Sequence, residues 1–287
     1  MSVRLLETIA DTRSALEPAR RQGQTIGLVP TMGALHAGHG RLIAEARQGT
    51  NLVVVSVFVN PVQFDREDDF TRYPRDLPRD LAFCEAAGVD VVFAPAVQEM
   101  YPAPQRTFVE VTRLTGHLCG RFRPGHFRGV ATVVLKLLNI IQPHRAYFGE
   151  KDAQQLAVVR RMVRDLNLPV EIVPVPTVRE PDGLAISSRN QHLNPQDRRA
   201  AAALYRALCV AQQRIASGAT APEDIRRDVL AALPPDPRLR VEYVEIVDPD
   251  QMQPVERITA PVRVALAVWI GSVRLIDNLL CEPPPRG

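Results

Sequence analysis

Two histidines three residues apart, His36 and His39, sit in Pro30-Thr31-Met32-Gly33-Ala34-Leu35-His36-Ala37-Gly38-His39. The segment follows a short apolar run, Thr25-Ile26-Gly27-Leu28-Val29, and precedes Leu42, Ile43 and Ala46 at helical spacing, so it reads as a strand turning into a helix. Residues i and i+3 share a helical face, which lets both imidazoles address one site. Glycine in the turn permits close backbone approach, and the first free N–H groups of a helix favour an anion. Two imidazole donors aimed at a phosphate stabilise the charge that grows on it during reaction. The plain alternative is a helix with two surface histidines. Zinc is disfavoured, because the metalloprotease pattern needs histidines at i and i+4 with a glutamate between, and here Ala37 and Gly38 intervene.

Lysine is scarce. Of 35 basic residues only Lys136 and Lys151 are lysine, the rest arginine. A lysine kept against that bias points to a place where a compact ammonium is needed and a planar fork is not. Lys136 lies in the apolar run Val133-Val134-Leu135-Lys136-Leu137-Leu138, where a structural reason is as good as a functional one. Lys151 lies in Tyr147-Phe148-Gly149-Glu150-Lys151-Asp152, a second strand-to-helix turn. A third, Asn60-Pro61-Val62-Gln63-Phe64, follows the strand-like run 52–59. In a parallel sheet such turns open on the carboxyl edge of the strands and can face one crevice. A polar loop, Asp182-Gly183-Leu184-Ala185-Ile186-Ser187-Ser188-Arg189-Asn190, adds hydroxyls, backbone N–H groups and a guanidinium suited to outer phosphates. Taken alone it is equally an ordinary turn before a helix.

These pieces need a scaffold. Strand-like runs at 25–29, 52–59, 90–94, 145–148 and 170–175 alternate with helical patterns at 40–48, 76–87, 126–141 and 152–166. That predicts an α/β fold, a Rossmann-like doubly wound parallel sheet over residues 1–176. Beyond Pro174, Pro176 and Pro181 come helical stretches at 195–217 and 222–233 and strand-like runs near 240–247, 262–270 and 273–280, read as a smaller C-terminal α+β domain, 177–287. A length of 287 residues with 46% hydrophobic content supports packed cores. The net charge of +3 shows no basic stripe for nucleic acid and no membrane-binding face. Cys84, Cys119, Cys209 and Cys281 are too dispersed for a zinc ribbon or disulfide scaffold, which fits a reducing cytoplasm. No signal peptide is visible at the start and no apolar run approaches membrane-spanning length. The proline-rich tail Pro283-Pro284-Pro285 has no evident role.

An HxGH after a strand is the signature of the nucleotidyltransferase superfamily, which the chain resembles. More specifically, PTMGALHAGH, VSVFVNPVQF (55–64), YPRD (73–76), PGHFRGVATVVLKLLN (124–139), YFGEKDAQQ (147–155) and DGLAISSRN (182–190) occur in the order and at about the separations of the pantothenate synthetase (pantoate–β-alanine ligase) family. Val57 and Leu138 stand where isoleucine and phenylalanine are expected, and neither change removes a polar group.

The resemblance implies ATP-dependent ligation of pantoate to β-alanine through pantoyl adenylate, with ATP as co-substrate, Mg²⁺ and a homodimer. It implies ATP binding by Met32, Gly33, Ala34, Leu35, His36, Ala37, Gly38 and His39, by Gly149, Glu150, Lys151 and Asp152, and by Val178, Ile186, Ser187, Ser188 and Arg189. His36, His39 and Lys151 would be catalytic, His39 as proton donor. Gln63 and Gln155 would bind pantoate, Gln63 also β-alanine. Pro30, Met32, Phe64, Val130, Val133 and Val134 would pack on the gem-dimethyl group, and they are equally core residues. Tyr73 and Asp80 match positions near the site, and Asp80 is the one candidate magnesium ligand. The second domain would act as a lid, closing over the phosphates through 182–190. Two alternatives remain: another HxGH adenylyl or cytidylyl transferase, and a non-catalytic nucleotide-binding protein.

Overall fold

Continuous β-branched runs, separated by helices with one apolar face, are the pattern of strands buried on both sides of a sheet. The computed structural model describes residues 3–284, so Pro285 of the proline-rich tail lies outside the described residues. The elements run β1 (Arg4–Leu6), α1 (Ile9–Arg21), β2 (Ile26–Thr31), α2 (Ala37–Gly49), β3 (Leu52–Val57), α3 (Glu67–Arg72), α4 (Leu77–Ala86), β4 (Val91–Phe93), α5 (Val97–Met100), α6 (Leu118–Phe122), α7 (His126–Ile141), β5 (Arg145–Gly149), α8 (Ala153–Asp165) and β6 (Glu171–Val175). Then follow α9 (Pro195–Ala201), α10 (Ala203–Ala216), α11 (Pro222–Ala231), β7 (Leu239–Val247), β8 (Val262–Ile270) and β9 (Val273–Cys281).

The chain divides into two compact units. The first holds residues up to Val111, Arg123–Glu150 and Val158–Pro176. Its six-stranded sheet has the order β1-β4-β3-β2-β5-β6, every pairing parallel. Leu28, Val29, Val53, Val54 and Val55 are wholly buried, as strands covered on both faces require. The chain winds from β2 outward through β3 to β4, then resumes on the other side of β2 with β5, so the order reverses between β2 and β5. That is the doubly wound arrangement, and ligands of such sheets bind outside the carboxyl ends of the strands at the reversal.

The second unit holds Thr112–Phe122, Lys151–Ala157 and Thr177 onward. Its sheet is an antiparallel meander, β7-β8-β9, in which the pair Ile270↔Val273 closes a two-residue hairpin turn with Gly271 at φ 57°. Leu204, Ala207, Leu208, Ala211 and Ile215 of α10 recur at helical spacing and join Val264, Leu266 and Val268 of β8 in one core.

Several elements escaped the sequence pattern. β1 is three residues long and α1 carries an internal Pro18, so neither shows a clean period. The stretch expected as one helical run over 195–217 breaks at Ala202 into α9 and α10. The division expected at 176/177 leaves out two segments that the contacts group with the second unit, 112–122 and 151–157. Their ties are polar and long-range in the chain: Gln154 Nε2 donates to the carbonyls of Leu114 and His117, both at 2.8 Å, and Cys119 Sγ lies 3.2 Å from Tyr243 Oη.

Candidate functional site

At the reversal point the segment after β2 leaves the sheet through a left-handed turn, Gly33 at φ 81° and Ala34 at φ 52°. A left-handed alanine is strained, and the surroundings must hold it. Asp80 of α4 does so: its Oδ2 accepts the Ala34 N–H at 3.0 Å and its Oδ1 the Leu35 N–H at 2.8 Å. A Cβ at position 33 would lie 2.7 Å from Asp80 Oδ2, so the turn demands glycine for space as well as for φ. Thr31 Oγ1 accepts from the Gly33 N–H at 3.1 Å and donates to the Ser56 carbonyl at 2.7 Å, tying the turn to β3. Asp80 is 2% exposed, and burial, opposed by the two backbone N–H groups, raises its carboxyl above the usual range.

Asp80, expected as a magnesium ligand, has a structural role in this turn. Both oxygens serve the turn, and among the described residues no group of three or more His, Cys, Asp or Glu stands together to hold a metal.

The turn delivers His36 as the N-cap of α2. Its ring Nδ1 accepts the Gly38 N–H at 3.1 Å, while His39 Nδ1 accepts the His36 backbone N–H at 3.2 Å. This is a capping box built from two imidazoles, satisfying donors the helix would otherwise leave open. A nitrogen that accepts an N–H cannot carry its own proton, so each neutral ring bears its hydrogen on Nε2. The cap therefore sets both tautomers and makes both histidines Nε2 donors at the positive end of a helix dipole.

A second cluster in the same unit surrounds Gln63 on the turn after β3. Gln63 is 8% exposed; its Oε1 accepts from Asn60 Nδ2 at 3.0 Å and its Nε2 donates to Met32 Sδ at 3.0 Å. The structure thus brings Met32 and Gln63 together across the carboxyl edges of β2 and β3. Asn60 also donates to the Gly129 carbonyl at 3.2 Å and accepts from Tyr101 Oη at 2.9 Å. Burial pushes the Tyr101 hydroxyl up to about 12, and Lys136 Nζ lies 5.2 Å from that ring's centroid, which gives Lys136 a structural place. His126 Nδ1 lies 2.7 Å from the Gln63 carbonyl; a carbonyl only accepts, so Nδ1 donates. Gly129 lets α7 touch this turn: a Cβ there would lie 2.5 Å from the Val62 carbonyl oxygen. Val130, Val133 and Val134 of α7 are buried, Pro30 is half-buried, and Phe64 packs edge-on to Phe70 and Tyr73 at 5.3 and 5.8 Å.

Asn60 and His126 escaped sequence reasoning as partners of Gln63. An asparagine before Pro61 reads as a turn residue, and only the return of α7 over 60 residues later makes it a buried hub.

Gly149 ends β5 in the first unit, and Glu150–Asp152 form a short 3-10 turn. Lys151–Ala157, with Gln155, group with the second unit, as do Val178, Ile186 and Ser187–Arg189. The loop at 178–186 is a small hairpin in which the Ile186 N–H donates to the Val178 carbonyl at 3.0 Å and Arg179 bridges Ala185. Ser187 caps the next turn, its Oγ accepting the Arg189 N–H at 3.3 Å, and Ser188 and Arg189 open that turn half-buried. Gln155 is half-buried, whereas its neighbour Gln154 is the buried tie to Leu114 and His117.

A doubly wound sheet with paired imidazole donors on a helix N-terminus, beside an ordered carboxamide, has the chemistry for a phosphate and a hydroxy acid. Comparison with known proteins places the whole chain in a family. A family model described as Pantoate-beta-alanine ligase matches residues 4–280. A pantothenate synthetase of Moorella thermoacetica is 55% identical over 97% of this chain and 98% of its own length. A crystal structure of pantothenate synthetase from Thermus thermophilus superposes with a TM-score of 0.92 at 49% identity, covering 99% of this chain and all of the other. A pantoate–β-alanine ligase from Francisella tularensis, solved with β-γ ATP and β-alanine, gives a TM-score of 0.80 at 35% identity over 97% of both chains. The chain belongs to the pantoate–β-alanine ligase family.

Proposed function

We propose that this chain condenses (R)-pantoate with β-alanine, using ATP and releasing AMP and pyrophosphate. The carboxylate of pantoate attacks the α-phosphorus of ATP and pyrophosphate leaves. The β-alanine amine then attacks the acyl carbon of the adenylate, AMP departs, and the amine loses its extra proton. Pantoate is already anionic at neutral pH, so the first step needs positioning and charge neutralisation more than a base. The observation that carries this reading is the double-histidine cap, which presents two Nε2 donors at a helix N-terminus on the reversal point of the sheet.

In this reading His36 and His39, with Met32–Leu35, Ala37 and Gly38, receive the ATP phosphates, and His39 supplies the proton donor. Gly149–Asp152, Val178, Ile186 and Ser187–Arg189 complete the nucleotide site, Lys151 neutralising the triphosphate. Gln63 and Gln155 hold pantoate, Gln63 also meeting β-alanine, and Pro30, Met32, Phe64, Val130, Val133 and Val134 receive its methyl groups. Residues 1–176 form the binding domain in this reading, and 177–287 the lid that keeps water from the mixed anhydride. We also read the enzyme as a cytoplasmic homodimer. Four free cysteines and the lack, among the described residues, of any helix long and apolar enough to cross a membrane are compatible with that location.

The test is to supply purified protein with ATP, pantoate and β-alanine. One AMP is expected per pantothenate, and ATP–pyrophosphate exchange should require pantoate. Exchange that ignores pantoate would move the chain to another adenylyl transfer, and no AMP at all would leave a non-catalytic nucleotide binder.

A further inference from the structure

Lys151 and the Ser187–Arg189 loop lie 36 residues apart in sequence, yet two adjacent side chains of β9 hold Lys151 and Arg179, eight residues before Ser187. Asn278 Nδ2 donates to the Lys151 carbonyl at 3.0 Å. Asp277 accepts two hydrogen bonds from the Arg179 guanidinium, from Nη1 at 2.6 Å and Nη2 at 2.9 Å. Arg179 stands at the base of the hairpin that leads into Ser187: its Nη1 also donates to the Gly183 carbonyl at 3.1 Å, and its guanidinium lies 4.1 Å from the Tyr205 ring centroid. Asp277 and Asn278 are 3% and 6% exposed, and Asn278 Oδ1 is itself held by Arg263 Nη1. A polar pair buried on one strand, with its hydrogen bonds directed at two separate chain segments, is costly unless fully partnered, and it is fully directional when it is.

We propose that Asp277 and Asn278 are positioning residues for the ATP triphosphate, setting Lys151 and the Ser187–Arg189 loop in register with each other from a single rigid strand. The proposal rests on the reading of Lys151 and Ser187–Arg189 as phosphate-binding. Neither side chain meets the nucleotide. Consecutive strand residues point to opposite faces, so one strand can grip a segment on each side of itself at a fixed separation. An arginine fork on a carboxylate resists rotation, which makes it a better hinge pin for a hairpin than a single bond.

Asn278→Asp tests this. The change is isosteric, retains an oxygen for Arg263, and takes away the donor to the Lys151 carbonyl. The KM for ATP in pantoate-dependent exchange should rise about tenfold, the equivalent of one hydrogen bond, with the KM for pantoate nearly unchanged, while the melting temperature falls because a buried carboxylate oxygen then faces the Lys151 carbonyl. In a Lys151→Ala background the same substitution should add little, because it acts through Lys151. A wild-type KM for ATP in Asn278→Asp, or a full additive effect on top of Lys151→Ala, overturns the proposal. If Asn278→Asp does not fold, Asp277→Asn against Arg189→Ala gives the same decision through the other arm. Unimpaired exchange in Lys151→Ala and Arg189→Ala alone would instead overturn the phosphate-site reading beneath it.

Discussion

The backbone N–H of His36 donates to the ring of His39 at 3.2 Å, and the two imidazole centroids stand 4.0 Å apart. One residue's main chain thus holds the other's side chain, and the pair caps α2 while orienting its own donors. Stability of the helix start and chemistry of the site share the same atoms. A change at either histidine is therefore expected to register in both.

His39→Ala removes one phosphate donor and one arm of the cap. Pantoate-dependent exchange should fall by about 10² to 10³, the scale for losing one transition-state donor. Urea denaturation should show a loss of about 1 kcal/mol, as for other N-cap truncations, with the circular dichroism of a folded chain. Near-normal turnover would remove His39 from the mechanism.

Lys151→Arg keeps the charge and replaces a compact ammonium with a broad planar fork. A drop of about 10² in kcat is expected by the same donor scale, with an unchanged melting temperature. An arginine variant that turns over like the wild type would show that the scarcity of lysine carries no functional meaning at this position.

Gly129→Ala drives a methyl group against the Val62 carbonyl and the Gln63 backbone. Overpacking of this kind costs about 1–3 kcal/mol. Because the displaced backbone carries Gln63, the KM for pantoate should rise while that for ATP moves less. Initial-rate kinetics at varied pantoate, alongside urea denaturation, would show whether the two effects travel together.

Asp80→Asn leaves one of the two turn N–H groups facing an amide nitrogen instead of an oxygen. A loss of about 1–3 kcal/mol is expected at neutral pH. Burial raises the Asp80 carboxyl above its ordinary 3.8, so the proton-linked part of its stability is complete below that value and is lost as pH rises through the raised one, leaving the hydrogen bonds to the turn at neutral pH. Asparagine does not titrate there. The wild-type advantage should accordingly be widest in acid and narrow upward across that window. If the carboxylate serves the turn alone, the magnesium concentration giving half-maximal activity should be the same in both proteins, and a shift in the variant would make Asp80 a metal ligand.

The doubly wound sheet was legible because its strands are apolar on both faces and its helices keep their period: Val53, Val54 and Val55, or the α7 run from Val130 to Leu138, state their own burial. The histidine turn was legible because glycine, a strand end and a helix start are all local signals. That Asp80 steadies the Gly33–Ala34 turn was not legible, because a carboxylate on a helix carries no mark of what it meets, and its partners are backbone N–H groups 45 and 46 residues earlier. Asn60 and His126 were passed over as partners of Gln63 for the same reason.

By itself, then, the chain's order of residues determined which groups of atoms are available: two imidazoles on a helix start, two lysines in a background of arginine, carboxamides at strand ends. Periodicity and turn chemistry act over a few residues, so they are written in the sequence. Which nitrogen of His36 and His39 bears the proton, which oxygen steadies the Gly33–Ala34 turn, and that Asp277 and Asn278 grip Lys151 and Arg179 were decided only by the tertiary structure. Hydrogen bonds between segments far apart in the chain depend on distances of about 3 Å, and nothing short of the completed packing sets those.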